Sequence, residues 1–384
     1  MKIRQQAGFH MMIPASFRSK SGLLFARATQ IVAPLLRCSA QLHCGAATPK
    51  ATWRKGLLIG ANHIGDILYR TSSLMQLAKG LPGCTWDILA PDPAAQVLEG
   101  NPAIRKIHRM EIPMPGSRDF QLLKAERYDV AICYDSGSYA RPLLSTALLG
   151  IPNRVAYVHK GFLGLVTHPV AIKYPQSYPA YFRDLVAQLT HFDRRWDLRP
   201  SVFPTPDDEL AAQTLWDEFE NEQELPVLAC FVTTRQPSTP WSPAQFKEAL
   251  RALQSLRPAQ IVLCGSAGDK DILETMGNEL GFPCSINAGK INLRALVVFL
   301  RKCSAVLTTD SGPRHLANAA GIPVIYLRNL LSQGVETGNY LPSEYDMMPP
   351  SENFGNRWHN ITSVAITPAT VAGKIAELLP TKRE

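Results

Sequence analysis

No CxxC pair or other paired spacing occurs among the cysteines, which stand singly at positions 38, 44, 84, 133, 230, 264, 284 and 303. A zinc site and a disulfide framework are therefore not expected, and a reducing compartment fits. Cys133, Cys264 and Cys303 lie in or beside apolar runs and are expected to be core thiols. No uninterrupted apolar stretch reaches the roughly 20 residues needed to cross a bilayer. No short internal repeat or low-complexity tract is evident, which removes repeat architectures. Acidic residues are missing from the start of the chain: the first is Asp66, whereas residues 1–55 carry nine Lys or Arg. Removing those nine from the net charge of +8 leaves the rest of the chain near −1. The body is thus not basic enough to indicate nucleic-acid binding.

The remaining composition is that of an ordinary globular protein, with 46% hydrophobic and 19% charged residues over 384 positions, long enough for two domains with separate cores. Within the basic extension, the apolar residues from Phe17 to Arg37 are punctuated by Arg18, Arg27 and Arg37. That pattern suits a helix lying on an anionic membrane surface, and a disordered tail is the alternative. Arg27 interrupts the apolar region, which disfavours a cleaved signal peptide.

Apolar runs then alternate with helix-like segments. Gly56–Gly60 reads as a strand, 66–79 as a helix, Thr85–Ala90 as a strand, Pro93–Glu99 as a helix, and Lys106–Arg109 and Tyr128–Tyr134 as strands. A helix over Pro142–Leu149 and a strand at Val155–Val158 follow. Pro200, Pro204 and Pro206 mark Arg194–Asp208 as a linker, after which the alternation restarts. Strands are expected at Pro226–Val232, Ile261–Gly265, 305–309 and Pro323–Leu327. Helices are expected from Ser242 to Leu256, Asp269 to Leu280, Leu293 to Arg301, over 313–320 and from Pro368 to Leu379. The fold class that follows is α/β, with two Rossmann-like parallel-sheet domains facing a central cleft. The expected division is a basic extension over 1–55, a first domain over 56–200, a second over 207–365 and a C-terminal helix over 366–384.

Two strand-to-helix junctions carry chemistry. In the second half, Thr308-Thr309-Asp310-Ser311-Gly312-Pro313-Arg314-His315 follows an apolar strand and enters a helix. Asp310 or Ser311 can cap that helix, and Pro313 suits its first turn. Backbone N–H groups there form an anion site, with Arg314 and His315 expected to add donors beside it. In the first half, Asn62-His63-Ile64-Gly65-Asp66 joins the first strand to its helix and places a carboxylate at the helix start. The second junction, Asp310-Ser311-Gly312-Pro313, read alone is equally a well-capped turn.

With both junctions placed, the chain resembles glycosyltransferase family 9, the lipopolysaccharide heptosyltransferases, over about residues 56–345. In order, the resemblance rests on Gly65-Asp66, Glu99-Gly100-Asn101-Pro102, Tyr128–Ile132, Gly150–Val155 and Thr167-His168-Pro169-Val170. Trp241-Ser242-Pro243, Ala288-Gly289-Lys290 and Asp310–Ala317 complete it. It implies a GT-B fold and metal-independent, cofactor-free transfer of a sugar, typically heptose from ADP-heptose, to a lipid-linked saccharide. The enzyme would be cytoplasmic, peripheral on the inner membrane and without a nucleic-acid partner.

Inverting glycosyl transfer needs a base for the acceptor hydroxyl and positive potential for the departing diphosphate, which helix N-termini can supply. By the resemblance, Asp66 is the base and Asp310 binds donor-sugar hydroxyls. Ser311, Gly312 and His315 would hold the diphosphate, with Thr233 and Thr234 approaching it. Gly265 either admits the nucleotide or is a turn glycine. Asp269 is a weaker ribose candidate, and Lys290 reads equally as a solvated loop lysine.

Three departures stand out. No Lys precedes Trp241, where the segment is Arg235–Pro240; Gly60 replaces a cation after the first strand; and Ser72 replaces a helix proline. Another nucleotide sugar, or a non-catalytic nucleotide-sugar sensor or assembly protein, remains an alternative.

Overall fold

The computed structural model describes residues 33–60, 63–134, 140–157, 164–171, 177–219, 224–233, 241–327, 341–347 and 366–380. The chain divides into two compact units, Met1–Leu198 and Arg199–Glu384. Among the described residues no helix is long and apolar enough to cross a membrane.

The first unit runs α1 (Ala33–Cys44), β1 (Lys55–Ile59), α2 (Ile64–Gly80), β2 (Thr85–Leu89), β3 (Lys106–His108), α3 (Arg118–Ala125), β4 (Val130–Cys133), α4 (Ala140–Leu148), β5 (Asn153–Tyr157), β6 (His168–Val170) and α5 (Tyr178–Thr190). The second runs α6 (Pro206–Asp217), β7 (Val227–Cys230), α7 (Pro243–Leu256), β8 (Gln260–Gly265), α8 (Lys270–Leu280), β9 (Cys284–Ala288), α9 (Leu293–Leu300), β10 (Ala305–Thr309), α10 (Gly312–Ala320), β11 (Val324–Leu327), β12 (Glu344–Met347) and α11 (Pro368–Leu378).

Each unit holds a six-stranded sheet, ordered β3-β2-β1-β4-β5-β6 in the first and β12-β11-β10-β7-β8-β9 in the second. Every pairing in both is parallel. Counted from its own first strand, each sheet has the 3-2-1-4-5-6 order of doubly wound nucleotide-binding domains. The central strands explain why: Leu57, Leu58 and Ile59 of β1, and Leu228, Ala229 and Cys230 of β7, are fully buried. Such continuous apolar runs suit parallel strands covered by helices on both faces. In the second unit Trp241 is buried, and its indole N–H donates to Ile366 O at 3.2 Å, tying the entry of α7 to the chain just before α11.

The structure corrects several expectations. The helix after β1 begins at Ile64, so Asp66 sits inside its first turn and not at its opening residue. Pro93–Glu99 contains only a short 3-10 turn, Ala94–Leu98. Elements α3, β6, α5, β9 and β12 were not anticipated; two of these strands have three or four residues and their burial is incomplete. The helix expected over 17–37 lies outside the described residues up to Val32; α1 covers its end and continues to Cys44. All eight cysteines are free thiols, and Cys133, Cys264 and Cys303 are buried.

The proline-rich segment read as a linker ends in a helix docked on the second unit. Pro206 occupies the first turn of α6, where it costs no hydrogen bond, and Thr205 and Asp208 form a reciprocal capping box. The Asp208 side chain is buried, accepts from Asn292 Nδ2 at 2.6 Å and pairs with Arg294 Nε at 2.7 Å. That carboxylate serves the helix cap and the contact with α9 together. Replacing Asp208 by Ala is expected to lower unfolding free energy by about 3–5 kcal/mol, because Arg294 loses a buried partner. Urea denaturation of the full chain checks this, and a change below about 1 kcal/mol would show the contact to be dispensable.

Candidate active site

In open parallel sheets the loops at the carboxyl ends diverge where the strand order reverses, and ligands bind in the opening this leaves. The reversal falls between β1 and β4 in the first unit and between β7 and β10 in the second. Asp66 follows β1, Thr233 follows β7, and Asp310, Ser311 and Gly312 follow β10. The candidate residues therefore fall at the reversal point of their own unit. Thr234 and the segment Arg235–Pro240 lie outside the described residues.

At the first junction Gly60 has φ +121°, a conformation closed to most side chains, so a cation there would be strained. His63 is the N-cap of α2 and makes no side-chain capping bond. Asp66 is partly buried in the first turn, at the positive end of the helix dipole. One turn on, Arg70 is only 4% exposed. It donates to the Asp66 carbonyl and to Tyr134 O at 3.3 Å, and its guanidinium carbon lies 4.4 Å from the Tyr69 and Tyr134 ring centroids. Burial raises the Tyr69 phenol well above its usual range, with Arg70 opposing, so Tyr69 stays protonated.

At the second junction Ser311 is the N-cap of α10, and its hydroxyl is engaged by Thr309, at 3.1 Å from Oγ1 and 3.4 Å from the carbonyl. Pro313 lacks an N–H, and the Arg314 N–H bonds Ser311 O at 3.1 Å. The main-chain donors left at this helix end are the N–H groups of Ser311 and Gly312. Arg314 corrects an expectation: it is fully buried and turns inward, away from any anion at the helix end. It pairs with Asp310 Oδ1 at 2.7 Å and Glu344 Oε1 at 2.6 Å, and lies 3.9 Å from the Tyr326 ring centroid. Asn318 Nδ2 also donates to Glu344 Oε1, at 2.7 Å. Burial works against the Arg314 charge, but the Asp310 and Glu344 carboxylates outweigh it and the guanidinium stays protonated.

His315 is half-buried, and desolvation, with Arg314 adding repulsion, draws its imidazole down to about 3. It can offer a diphosphate a neutral N–H donor, not a positive charge. Gly265 is explained by its own unit: a Cβ there would lie 2.9 Å from Asp269 Cβ and 2.9 Å from Leu273 Cδ1. Asp269 is occupied as a capping carboxylate, accepting from Ser266 N at 2.7 Å and Ser266 Oγ at 2.5 Å. Lys290 forms an exposed ion pair with Glu218 at 2.8 Å. Among the described residues one group has metal-ligand proximity, Asp87, His108 and Glu126. Its donors are engaged by Arg105 and Tyr128 at Asp87 and by Lys55 and Lys106 at Glu126.

The sequence reading missed Arg70 as a buried cation and the pairing of Arg314 with Glu344. A signal was present: Asp66/Arg70 and Asp310/Arg314 share the i,i+4 spacing that puts two side chains on one helix face.

Two parallel sheets of this strand order, each with a polar junction at its reversal point, have the architecture of doubly wound α/β domains. Residues 118–328 match the family profile of Glycosyltransferase family 9 (heptosyltransferase). The lipooligosaccharide heptosyltransferase 2 of Haemophilus influenzae is 30% identical over 298 residues, covering 71% of this chain and 82% of that one. Among solved structures, the glycosyl transferase family 9 protein of Veillonella parvula superposes with TM-score 0.69 at 16% identity, covering 87% of this chain and 97% of that one. The ADP-heptose lps heptosyltransferase II of Escherichia coli gives 0.65 at 22% identity, covering 84% and 98%. The chain belongs to glycosyltransferase family 9: it is a glycosyltransferase of the GT-B fold.

A depressed imidazole destabilises the folded state wherever the unfolded chain binds the proton more readily. The stability tied to neutral His315 is complete above about 6.5 and is lost progressively as pH falls toward about 3. His315→Gln is therefore expected to flatten the fall in unfolding free energy between pH 7 and 4. Denaturant titrations at each pH check this; parallel curves for both proteins would contradict it.

Proposed function

We propose that this protein is an inverting heptosyltransferase acting on a lipopolysaccharide core or similar lipid-linked glycan, with ADP-heptose as donor. The observation that carries the proposal is that each half sets a carboxylate, Asp66 or Asp310, at the strand-order reversal of a doubly wound sheet. The names of the relatives supply the substrate class: a lipooligosaccharide heptosyltransferase and an ADP-heptose enzyme.

In this reading residues 56–200 form the acceptor side and 207–365 the donor side. Asp66 takes the proton of the acceptor hydroxyl as that oxygen attacks the anomeric carbon. The bond from that carbon to the diphosphate oxygen breaks with its electron pair, and the configuration inverts. Asp66 stands at the N-terminus of α2, where the helix dipole is positive, as suits a carboxylate acting as base. Asp310 accepts from donor-sugar hydroxyls. Gly312 N–H, Ser311, neutral His315 and the threonines 233 and 234 hold the leaving diphosphate, in the manner of a helix N-terminus receiving an anion. The basic extension, together with the exposed Leu35 on α1, holds the enzyme at the anionic cytoplasmic membrane surface where a lipid-linked acceptor resides.

Asp66→Asn is expected to lower turnover by about 10²–10⁴-fold, the range of general-base contributions. Donor affinity should stay within about three-fold, since the base touches the acceptor. Transfer assays with ADP-heptose and a core acceptor, alongside calorimetric donor binding, check both. An Asn variant with wild-type turnover would remove Asp66 from the chemistry. A wild-type chain that binds donor without transferring it would favour a sensor.

A further inference from the structure

Arg314 is fully buried, so it cannot reach a ligand itself, yet it joins three side chains from three separate elements. Its Nη1 holds Asp310 Oδ1 at 2.7 Å, its Nε holds Glu344 Oε1 at 2.6 Å, and its guanidinium lies over Tyr326, 3.9 Å from the ring centroid. Glu344 opens β12 and is fixed in turn by Asn318 Nδ2 at 2.7 Å and by the Leu341 N–H at 3.4 Å. One cation is thus shared by two carboxylates. Both carboxylate side chains are nearly buried, Glu344 at 0% and Asp310 at 6% exposure, and Asp310 stands one residue past β10 at the polar junction.

An apolar side chain would fill this interior helix position without the desolvation cost of a buried guanidinium. What the cation adds is direction. A carboxylate at a strand end can rotate and hydrate; with Oδ1 committed to Arg314, its remaining acceptor sites point one way. A charge-assisted bond of this kind also limits the repulsion between Asp310 and a diphosphate nearby.

We infer that Arg314 is a positioning residue that, through Asp310, sets how tightly the sugar of a nucleoside-diphosphate sugar is held compared with the nucleoside diphosphate alone. The inference rests on the reading of Asp310 as a sugar contact. It assigns selectivity for the glycosylated donor to a side chain that touches no ligand.

The test uses the full chain with ADP and ADP-heptose as probes, measuring binding by calorimetry and kcat and KM by transfer. Arg314→Met is expected to weaken ADP-heptose binding about ten-fold or more while ADP binding shifts by about three-fold at most, as losing one charge-assisted contact implies. Arg314→Lys, which keeps the charge but not the fork, should recover part of the loss. In the Asp310→Asn background the Arg314→Met change should add nothing further, because the two act as one unit. Equal ADP-heptose affinity in Arg314→Met and wild type, or an additive loss in the double variant, would overturn the inference. If Arg314→Met does not fold, Arg314→Lys decides: wild-type affinity for both probes would overturn it, and a selective loss for ADP-heptose would uphold it. Wild-type protein that binds ADP-heptose no better than ADP would overturn the donor reading and this inference with it.

Discussion

The parallel pairing of β1 with β4, and of β7 with β10, is the constraint from which the rest of each unit follows. Parallel strands need crossovers, the crossovers put helices on both sheet faces, and every strand then ends on the same edge. The edge where the order reverses is the one place where neighbouring loops turn apart. A residue just beyond β1, β7 or β10 reaches that opening as a consequence of topology, whatever its chemistry. The sequence then decides what stands there: Asp66, Thr233, and the run Asp310-Ser311-Gly312.

The two halves meet the cost of a carboxylate near an apolar sheet in related ways. Each follows its Asp with an Arg one helical turn later, buried and laid against tyrosine. Arg70 lies over Tyr69 and Tyr134 and bonds main-chain oxygens, so it braces the first turn of α2. Arg314 lies over Tyr326 and bonds carboxylates, so it braces the side chain of Asp310 itself. A buried guanidinium is tolerated only with compensating partners, and losing one of them leaves an uncompensated charge in the interior.

Much of this is legible in the sequence because its physics is local. The apolar runs around Leu57, Val130, Leu228 and Val306 announce parallel strands, and Asp310-Ser311-Gly312-Pro313 announces a capped helix. Arg314 misleads because a cation in a first helical turn ordinarily faces water. Its burial depends on Glu344, thirty residues later in a short strand whose sequence, Glu-Tyr-Asp-Met, carries no apolar run. Pro206 misleads for the opposite reason: three prolines look like a linker, while Thr205 and Asp208 hold the capping signal that makes one of them a helix start. Gly265 shows a third limit, since its need for a missing Cβ arises from Asp269 and Leu273 packing back onto the strand.

The most direct test of this account is amide hydrogen exchange of the full chain with and without ADP, read by mass spectrometry. Protection is expected in peptides spanning 231–234 and 309–316, the ends of β7 and β10 with the start of α10, and not in peptides covering 82–108. No protection at either strand end, or protection confined to the first unit, would contradict the assignment of the donor site to the reversal point of the second sheet.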